Sequence, residues 1–169
     1  MRKILRAALL ASGCLSLVII AGFGLSIWWA FAKHEYRGAQ ISLPKVQGLE
    51  PRLKLHIPSS ANFQYLSYYG GGFGANEVVF LKFTLPHKDV AALIASSPFA
   101  DRRFTAKTNY CSINSPPVDW DVDAAQPFVS AYAQGSDGDL MMTIAHPDSE
   151  TPTIYLYLYE AHAGSAKEE

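Results

Sequence analysis

Three aspartates, Asp119, Asp121 and Asp123, alternate with other residues and are candidates for binding a cation. In an extended conformation their carboxylates would share one face of the chain, as the first ligands of a calcium loop do. A calcium loop of the EF-hand type also requires glycine at its sixth position and glutamate at its twelfth, where this chain has Ala124 and Ser130. The sequence therefore favours a solvated acidic loop, with an unspecific cation site as the alternative.

Five histidines are candidates for metal binding or proton transfer: His34, His56, His87, His146 and His162. None stands in a spacing typical of zinc ligands, and no G-x-S-x-G elbow marks a serine nucleophile. We predict no catalytic residue, no cofactor and no metal site. The alternative is a small exported hydrolase or ligand-binding domain, with a pocket between helix 86–97 and loop 108–123 that uses His87, His146 or the aspartates.

Gly70, Gly72 and Ala75 match the dinucleotide-binding pattern G-x-G-x-x-A. That site requires a helix after the loop, because the helix amino terminus holds the pyrophosphate. Here the loop is followed by EVVFLKFT at 77–84, which is typical of a strand. The glycines are therefore predicted to form a hairpin loop.

The elements that position these residues predict an α+β domain. One main helix is expected after Pro86, because Val90, Leu93 and Ile94 recur at helical spacing before Pro98. We expect this helix to pack on one face of an antiparallel β-sheet. Apolar patterning predicts the strands Leu53–Ile57, 63–69, 77–84, 102–107, 127–134, 139–146 and 153–160, the last three as a meander.

The closing strand, TIYLYLYE at 153–160, separates two kinds of side chain. Because side chains alternate between faces, its aliphatic residues share one face, and Tyr155, Tyr157 and Tyr159 share the other. The aliphatic face suits the core beneath the helix. The tyrosine face must be covered. We expect its cover to be the segment after the apolar run, loop 108–123 or a partner protein. Within that loop we predict Trp120 to be a core plug.

Residues 7–32 form a run of 26 residues without a charged side chain. A helix of about 20 apolar residues crosses the hydrocarbon core of a bilayer, so we predict a transmembrane helix. Three basic residues at 1–6 favour a cytoplasmic amino terminus and an exported carboxy-terminal domain. Trp28 and Trp29 lie near the outer end of the run and are predicted to be membrane-interface anchors.

Two processing alternatives compete with this uncleaved signal anchor. Ala30–Ala32 has the small-x-small pattern of a signal-peptidase site, but the apolar run is longer than that of a usual secretory signal. Ala11–Cys14 is similar to a lipoprotein cleavage box, although further apolar residues follow its cysteine. We expect a tether at 33–52, an exported domain at 53–162 and a frayed tail at 163–169.

Charge is distributed unevenly along the exported part. Residues 33–107 contain ten Lys and Arg against five Asp and Glu, whereas residues 108–169 contain ten acids and one lysine. Either a basic face turns toward anionic lipid, or the two halves interleave in one sheet and neutralise each other. No basic cluster dense enough for a nucleic-acid site is present. Cys111 is the one cysteine of the exported domain, so no disulfide can form within it.

Several segments carry a resemblance at the level of pattern: IPSSAN at 57–62, VVFLKFTLP at 78–86, the lone Trp120 and TIYLYLYE at 153–160. With the single anchor, they resemble small membrane-anchored or lipidated bacterial envelope proteins of uncharacterised function. The resemblance implies a bacterial envelope setting and no site residues.

We therefore expect a non-catalytic interaction module. Its possible interaction surface is Tyr155, Tyr157 and Tyr159 or the three aspartates, and its partner would be another envelope protein. A membrane-displayed immunity or inhibitor protein is a further alternative.

Overall fold

The computed structural model describes residues 16, 18–28, 34–69, 77–106, 117, 119–122, 125–135 and 138–160. Several features of the sequence analysis lie outside these residues: the segment 1–6, both proposed cleavage sites, Cys14, Trp29, the glycine-rich connection after residue 69, Cys111, Asp123, His162 and the tail 163–169.

Residues 18–28 are helical, and six of their seven large apolar side chains are exposed. The exposed fractions of these side chains lie between 62% and 69%, for Val18, Ile19, Ile20, Phe23, Leu25 and Trp28. In the described part of the chain, no helix is both long enough and apolar enough to cross a bilayer.

Six antiparallel strands form one sheet in the order β1-β2-β3-β6-β5-β4. The strands are β1 His34–Arg37, β2 Asn62–Tyr69, β3 Glu77–Thr84, β4 Phe128–Gly135, β5 Gly138–Ala145 and β6 Thr153–Glu160. The predicted α+β class and antiparallel sheet are confirmed, as is the meander of the last three strands. β3 and β6 lie at the centre, and their register pairs Leu81 with Leu156.

Two of the predicted strands are wrong. The expected strand at 102–107 is reduced to a single bridge between Thr105 and Ser130, on the outer side of β4. The expected strand Leu53–Ile57 instead begins with the last residue of a short helix and continues as a turn and loop. Leu55 and Ile57 are buried there, so their apolar character reflects packing rather than strand pairing.

Residues 34–52, which fall within the expected tether at 33–52, are built into the domain. They contain β1, a 3₁₀ turn at Gly38–Gln40, helix α1 at Leu43–Gln47 and the start of helix α2 at Glu50–Leu53. Each helix carries a proline at its first or second position, where the missing N–H is not needed. The prolines of this segment therefore mark helix starts rather than an extended linker.

The predicted main helix forms as α3, His87–Ala95. It begins directly after Pro86 and carries Asp89 in its first turn, where the helix dipole favours a negative charge. Leu93 is fully buried, and Val90 and Ile94 pack against the same cluster. α3 and the two shorter helices all contribute to one side of the sheet, so three helices occupy the place expected for one.

The sheet has two chemically different sides. On the aliphatic face, β6 contributes Ile154, Leu156 and Leu158 to a cluster that includes residues of all three helices. On the aromatic face, β6 contributes Tyr155 to a second cluster with Phe80 and Trp120. The predicted separation of aliphatic and tyrosine side chains along β6 is confirmed.

Candidate functional site

The aromatic face is covered by residues 117 and 119–122, which we call the strap. Trp120 belongs to the strap, and its side chain packs against the sheet. The centroid of its ring lies 5.1 Å from that of Phe80 and 5.2 Å from that of Tyr155, and both ring pairs are in edge-on contact. Trp120 is 6% exposed and Val122 is fully buried. The prediction that Trp120 is a core plug is confirmed, because edge-on aromatic packing fills the space over the centre of the sheet.

Asp121 of the strap is bonded to two residues of the central strands. Its carboxylate accepts hydrogen bonds from Lys82 Nζ at 2.7 Å and from the Tyr155 hydroxyl at 2.8 Å. Burial acts to raise the pKa of Asp121, but the bonds from Lys82 and Tyr155 outweigh it and hold the pKa below its ordinary value. The structure thus brings together two predicted site residues, Asp121 and Tyr155.

Asp119 is bonded to the edge of the sheet instead. Its carboxylate accepts a hydrogen bond from Arg37 Nε at 2.8 Å and forms an ion pair with Arg37 Nη2 at 2.7 Å. Arg37 also lies 3.9 Å from Glu35, which accepts a bond from the Tyr65 hydroxyl at 3.1 Å. These contacts tie the strap to β1 and β2.

The proposed interaction surface is therefore only partly accessible. Tyr155 is 1% exposed, so it packs inside the protein and offers no contact to a partner. Tyr157 and Tyr159 are half-buried beside the aromatic cluster. Of the three aspartates, Asp119 and Asp121 are engaged in separate ion pairs.

Pairing across the sheet explains the uneven charge along the chain. Cations of the first half meet acids of the second half where the two halves lie side by side. The pairs are Arg37 with Asp119, Lys82 with Asp121 and Arg52 with Glu160. The interpretation in which the halves interleave in one sheet and neutralise each other is confirmed for these residues.

A cleft of about 70 Å³ lies on the aliphatic side, at the end of the β4–β5 pair where β4 ends and β5 begins. Its floor is apolar, formed by Pro98, Ala133, Leu140 and Leu158. Its remaining lining is mostly polar or charged, from Arg52, Lys54, Gln134, Gly135, Gly138 and Glu160.

The polar rim of the cleft is organised by Arg52. Glu77 and Glu160 are direct cross-strand partners, and two carboxylates in that position repel each other. Arg52 reaches both, lying 2.7 Å from Glu160 and in contact with Glu77. The arginine thereby joins α2 to the ends of β3 and β6 and fixes one wall of the cleft.

Only residues 117 and 119–122 of the loop in the pocket predicted between helix 86–97 and loop 108–123 lie within the described structure. α3 lies on the aliphatic face, whereas the described residues of that loop lie on the aromatic face. The sheet separates α3 from these described residues, which therefore do not enclose a site with that helix.

The histidines suggested for catalysis lie on the surface. His87 and His146 are exposed, and their backbone N–H groups bond to Glu150 and Pro127 in loop connections. His56 lies 3.2 Å from Glu50, and His34 stacks on Tyr68. Within the described residues, no group of three or more possible metal ligands is found.

Lys82 was not among the predicted site residues, although the sequence contained a signal for it. Val78, Phe80 and Lys82 share one face of an otherwise apolar strand, so a lysine at the third position must lie among buried side chains. A lysine there requires a carboxylate partner, because an unpaired charge is costly when it is removed from water. The alternating aspartates were the available partners.

Comparison of the chain with protein-family models, with curated proteins and with solved structures finds no match.

Proposed function

We propose that this chain is a single-pass membrane protein, anchored by residues 7–32, that carries a non-catalytic binding domain. One observation carries the proposal: the large apolar side chains of the helical residues 18–28 are about two thirds exposed. They lie inside a run that has no charge over 26 residues. A soluble helix presents such a face only in part, whereas a helix in lipid presents it all round.

The orientation follows from the flanking charges. Arg2, Lys3 and Arg6 precede the run, and basic residues at a first helix stay on the cytoplasmic side. The domain that begins at His34 is then exported, in a bacterial envelope or an equivalent compartment. Trp28 lies near the outer end of the run, at the level where indole rings prefer the lipid interface.

Alkaline carbonate extraction of membranes that contain the full chain tests the anchor. We expect the protein to stay in the pellet, and Ile20→Lys combined with Phe23→Lys to move it to the supernatant. The matched control changes the exposed domain residues Ala39 and Ala91 to lysine and should leave it in the pellet. Release of the unaltered chain by carbonate would contradict the proposal.

A binding role is supported by how the polar side chains are used. Asp119 and Asp121 hold the strap, and Arg52 holds the rim of the cleft, so these groups serve the structure. The cleft is concave, has an apolar floor and has a charged rim, which are properties of a recognition site. Its volume suits one small apolar side chain from a partner protein.

Capture of partners from detergent-solubilised native membranes tests this role. Ala133→Val places two methyl groups in the cleft and should abolish capture of a stoichiometric partner. Ala91→Val makes the same change on the exposed side of α3 and should leave capture intact. A partner that is retained equally by both variants would exclude the cleft as the contact.

A small-molecule ligand is the second candidate, because the cleft is bounded by both apolar and charged groups from several elements. A ligand of this kind would raise the melting temperature of the unaltered chain but not that of Ala133→Val. Absence of any such ligand, together with a captured protein, would favour the first candidate.

A further inference from the structure

We propose that the β1 edge of the sheet is docked in the head-group layer of the same membrane, with the sheet standing on that edge. The proposal rests on the anchor proposed above. It assigns a lipid contact to β1, to the 3₁₀ turn Gly38–Gln40 and to Lys45 of α1.

Chain length limits how far β1 can be from the lipid. Only Lys33 separates the uncharged run 7–32 from His34, the first residue of β1. Consecutive Cα atoms are 3.8 Å apart at most, so the His34 Cα lies within about 8 Å of the end of the run. The head-group region on each side of a bilayer is about 5–7 Å thick. A run that lies wholly within the hydrocarbon core therefore places the start of β1 inside that layer or at its outer boundary.

β1 is paired with β2 from its first residue. His34 pairs with Tyr68 and Arg37 pairs with Tyr65, so the chain enters the sheet at its first described residue after the run. The 3₁₀ turn and α1 follow immediately, and Val46 of α1 is fully buried. A domain joined in this way cannot move away from the bilayer unless β1 separates from β2.

The chemistry of this edge suits an anionic phospholipid surface. Three rings stack at it, with His34 and Tyr68 at 4.9 Å and Tyr36 and Tyr68 at 6.3 Å between centroids. Lys45 Nζ lies 3.3 Å from the centre of the Tyr36 ring. Amphipathic rings favour the head-group level, and lysine and arginine are attracted to anionic lipid.

Arg37 also lies at this edge, but Asp119 at 2.7 Å balances its charge, so Lys45 carries the attraction to anionic lipid. The carboxylates nearest to Arg37 are Glu35, which also accepts the Tyr65 hydroxyl, and Asp119 of the strap. Both acids lie on the aromatic face, so a sheet lying flat on that face would bring them, with Asp121, against anionic lipid. Standing on the β1 edge keeps the strap off the surface.

This orientation sets a distance that can be measured. β1 and β4 are the two edges of a six-stranded sheet, five strand spacings apart. With about 4.8 Å between neighbouring strands, the β4 edge lies about 24 Å farther from the lipid than the β1 edge. Ala39 and Gln134 are exposed residues at these opposite edges.

The test places one spin label at a time on the full chain in nanodiscs of phosphatidylglycerol and phosphatidylcholine that contain a nickel-chelating lipid. Both cysteines are first changed to serine, and the label is attached at Ala39→Cys or Gln134→Cys. We expect nickel to accelerate relaxation at least about fivefold more at Ala39, given the separation of the two edges. Equal acceleration at the two positions would overturn the docked orientation.

The outcomes separate this proposal from the one on which it rests. A chain that enters nanodiscs and resists carbonate, yet gives equal acceleration at both positions, has the anchor but not the docking. A chain that carbonate extracts has neither. Lys45→Glu should reduce the acceleration at Ala39 by about half through loss of the attraction to anionic lipid. Lys88→Glu, the same change on exposed α3, should not, and equal values in these two variants would remove Lys45 from the contact.

Discussion

The two faces of the sheet are closed by different means. On the aliphatic face, helices from two separate parts of the chain bury side chains completely, among them Val46, Leu53 and Leu93. On the aromatic face, the strap buries Trp120 and Val122, and two ion pairs bind it to β1 and β3. One closure relies on apolar area from many residues, and the other depends on one large ring and a few polar bonds.

This difference predicts which face opens first. Apolar burial contributes about 25 cal/mol for each Å² removed from water, whereas a partly exposed ion pair contributes about 0–1 kcal/mol. The aromatic face also buries two polar atoms, Ser67 Oγ and Trp120 Nε1, for which no hydrogen-bond partner is found within the described structure. Buried atoms of this kind oppose folding. The strap should therefore exchange its amide protons faster than the helices do.

The strongest test of this comparison is Trp120→Ala. We expect the free energy of unfolding to fall by about 4 kcal/mol, since truncation of a buried tryptophan removes its packing and leaves a cavity. Urea denaturation of the chain in detergent measures this, and binding of an apolar dye reports the uncovered Phe80 and Tyr155. Leu93→Ala on the other face should cost about 3 kcal/mol without dye binding in the native state. Dye binding by both variants would show that the faces do not open separately.

Arg52→Met removes the cation that joins α2 to Glu77 and Glu160 at the rim of the cleft. It leaves Glu77 and Glu160 facing each other, and we expect a loss of about 2 kcal/mol because the three side chains are partly buried. Adding Glu77→Gln to Arg52→Met should recover part of the loss by removing the repulsion. Urea denaturation of the single and double variants measures both effects, and a further loss in the double variant would contradict this account.

Asp121→Asn tests the bond between the strap and the central strands. We expect a loss of about 1 kcal/mol at neutral pH, a small value because the Asp121 side chain is 52% exposed. The folded-state pKa of Asp121 lies below its unfolded value. Its contribution is therefore fully present above the unfolded pKa of about 4 and is lost as pH falls through the folded pKa. The difference between the two proteins should disappear in strong acid; a constant difference at all pH values would exclude the ionised carboxylate as its cause.

Arg37→Ala should have the smallest effect. Arg37 and Asp119 are 64% and 39% exposed, so their pair contributes about 0.5 kcal/mol at low salt. Because salt screens exposed charges, the difference in urea midpoint should vanish near 1 M NaCl. Lys54→Ala, on the rim of the cleft, provides a surface cation outside the strap as the control. The same salt-dependent shift of the urea midpoint in the Lys54 variant would argue against a specific role for Arg37.

Much of the sheet could be predicted because its strands carry their own pattern. The bounds of β3 and β6 match the predicted 77–84 and 153–160, since apolar and aromatic residues alternate along buried central strands. Trp120 was identified as core from its size and its place in a loop. These predictions depended only on residues close in sequence.

The amino-terminal part of the domain could not be predicted in the same way. β1 has four residues, all with titratable side chains, and it becomes a strand only because β2 lies beside it. Pro44 and Pro51 interrupt any apolar period, yet both lie at helix starts. Tertiary packing, rather than local preference, determines this segment.

The candidate site was harder to predict because its contacts join distant parts of the chain. Asp121 and Lys82 are 39 residues apart, and Arg52 and Glu160 are 108 residues apart. The composition of each half indicated that opposite charges would meet. Which side chain meets which depends on strand order, and the sequence alone does not contain that order in readable form.

The short β1 strand also determines how the protein would respond to mechanical force. A pull on residues 7–32 enters the domain at His34 and acts first on the four residue pairs that join β1 to β2. The other five strands are joined by registers of seven or eight residue pairs each, so they resist longer. Single-molecule pulling should record a small extension at low force before the main rupture. β1 then separates from β2 first, while the rest of the sheet stays folded.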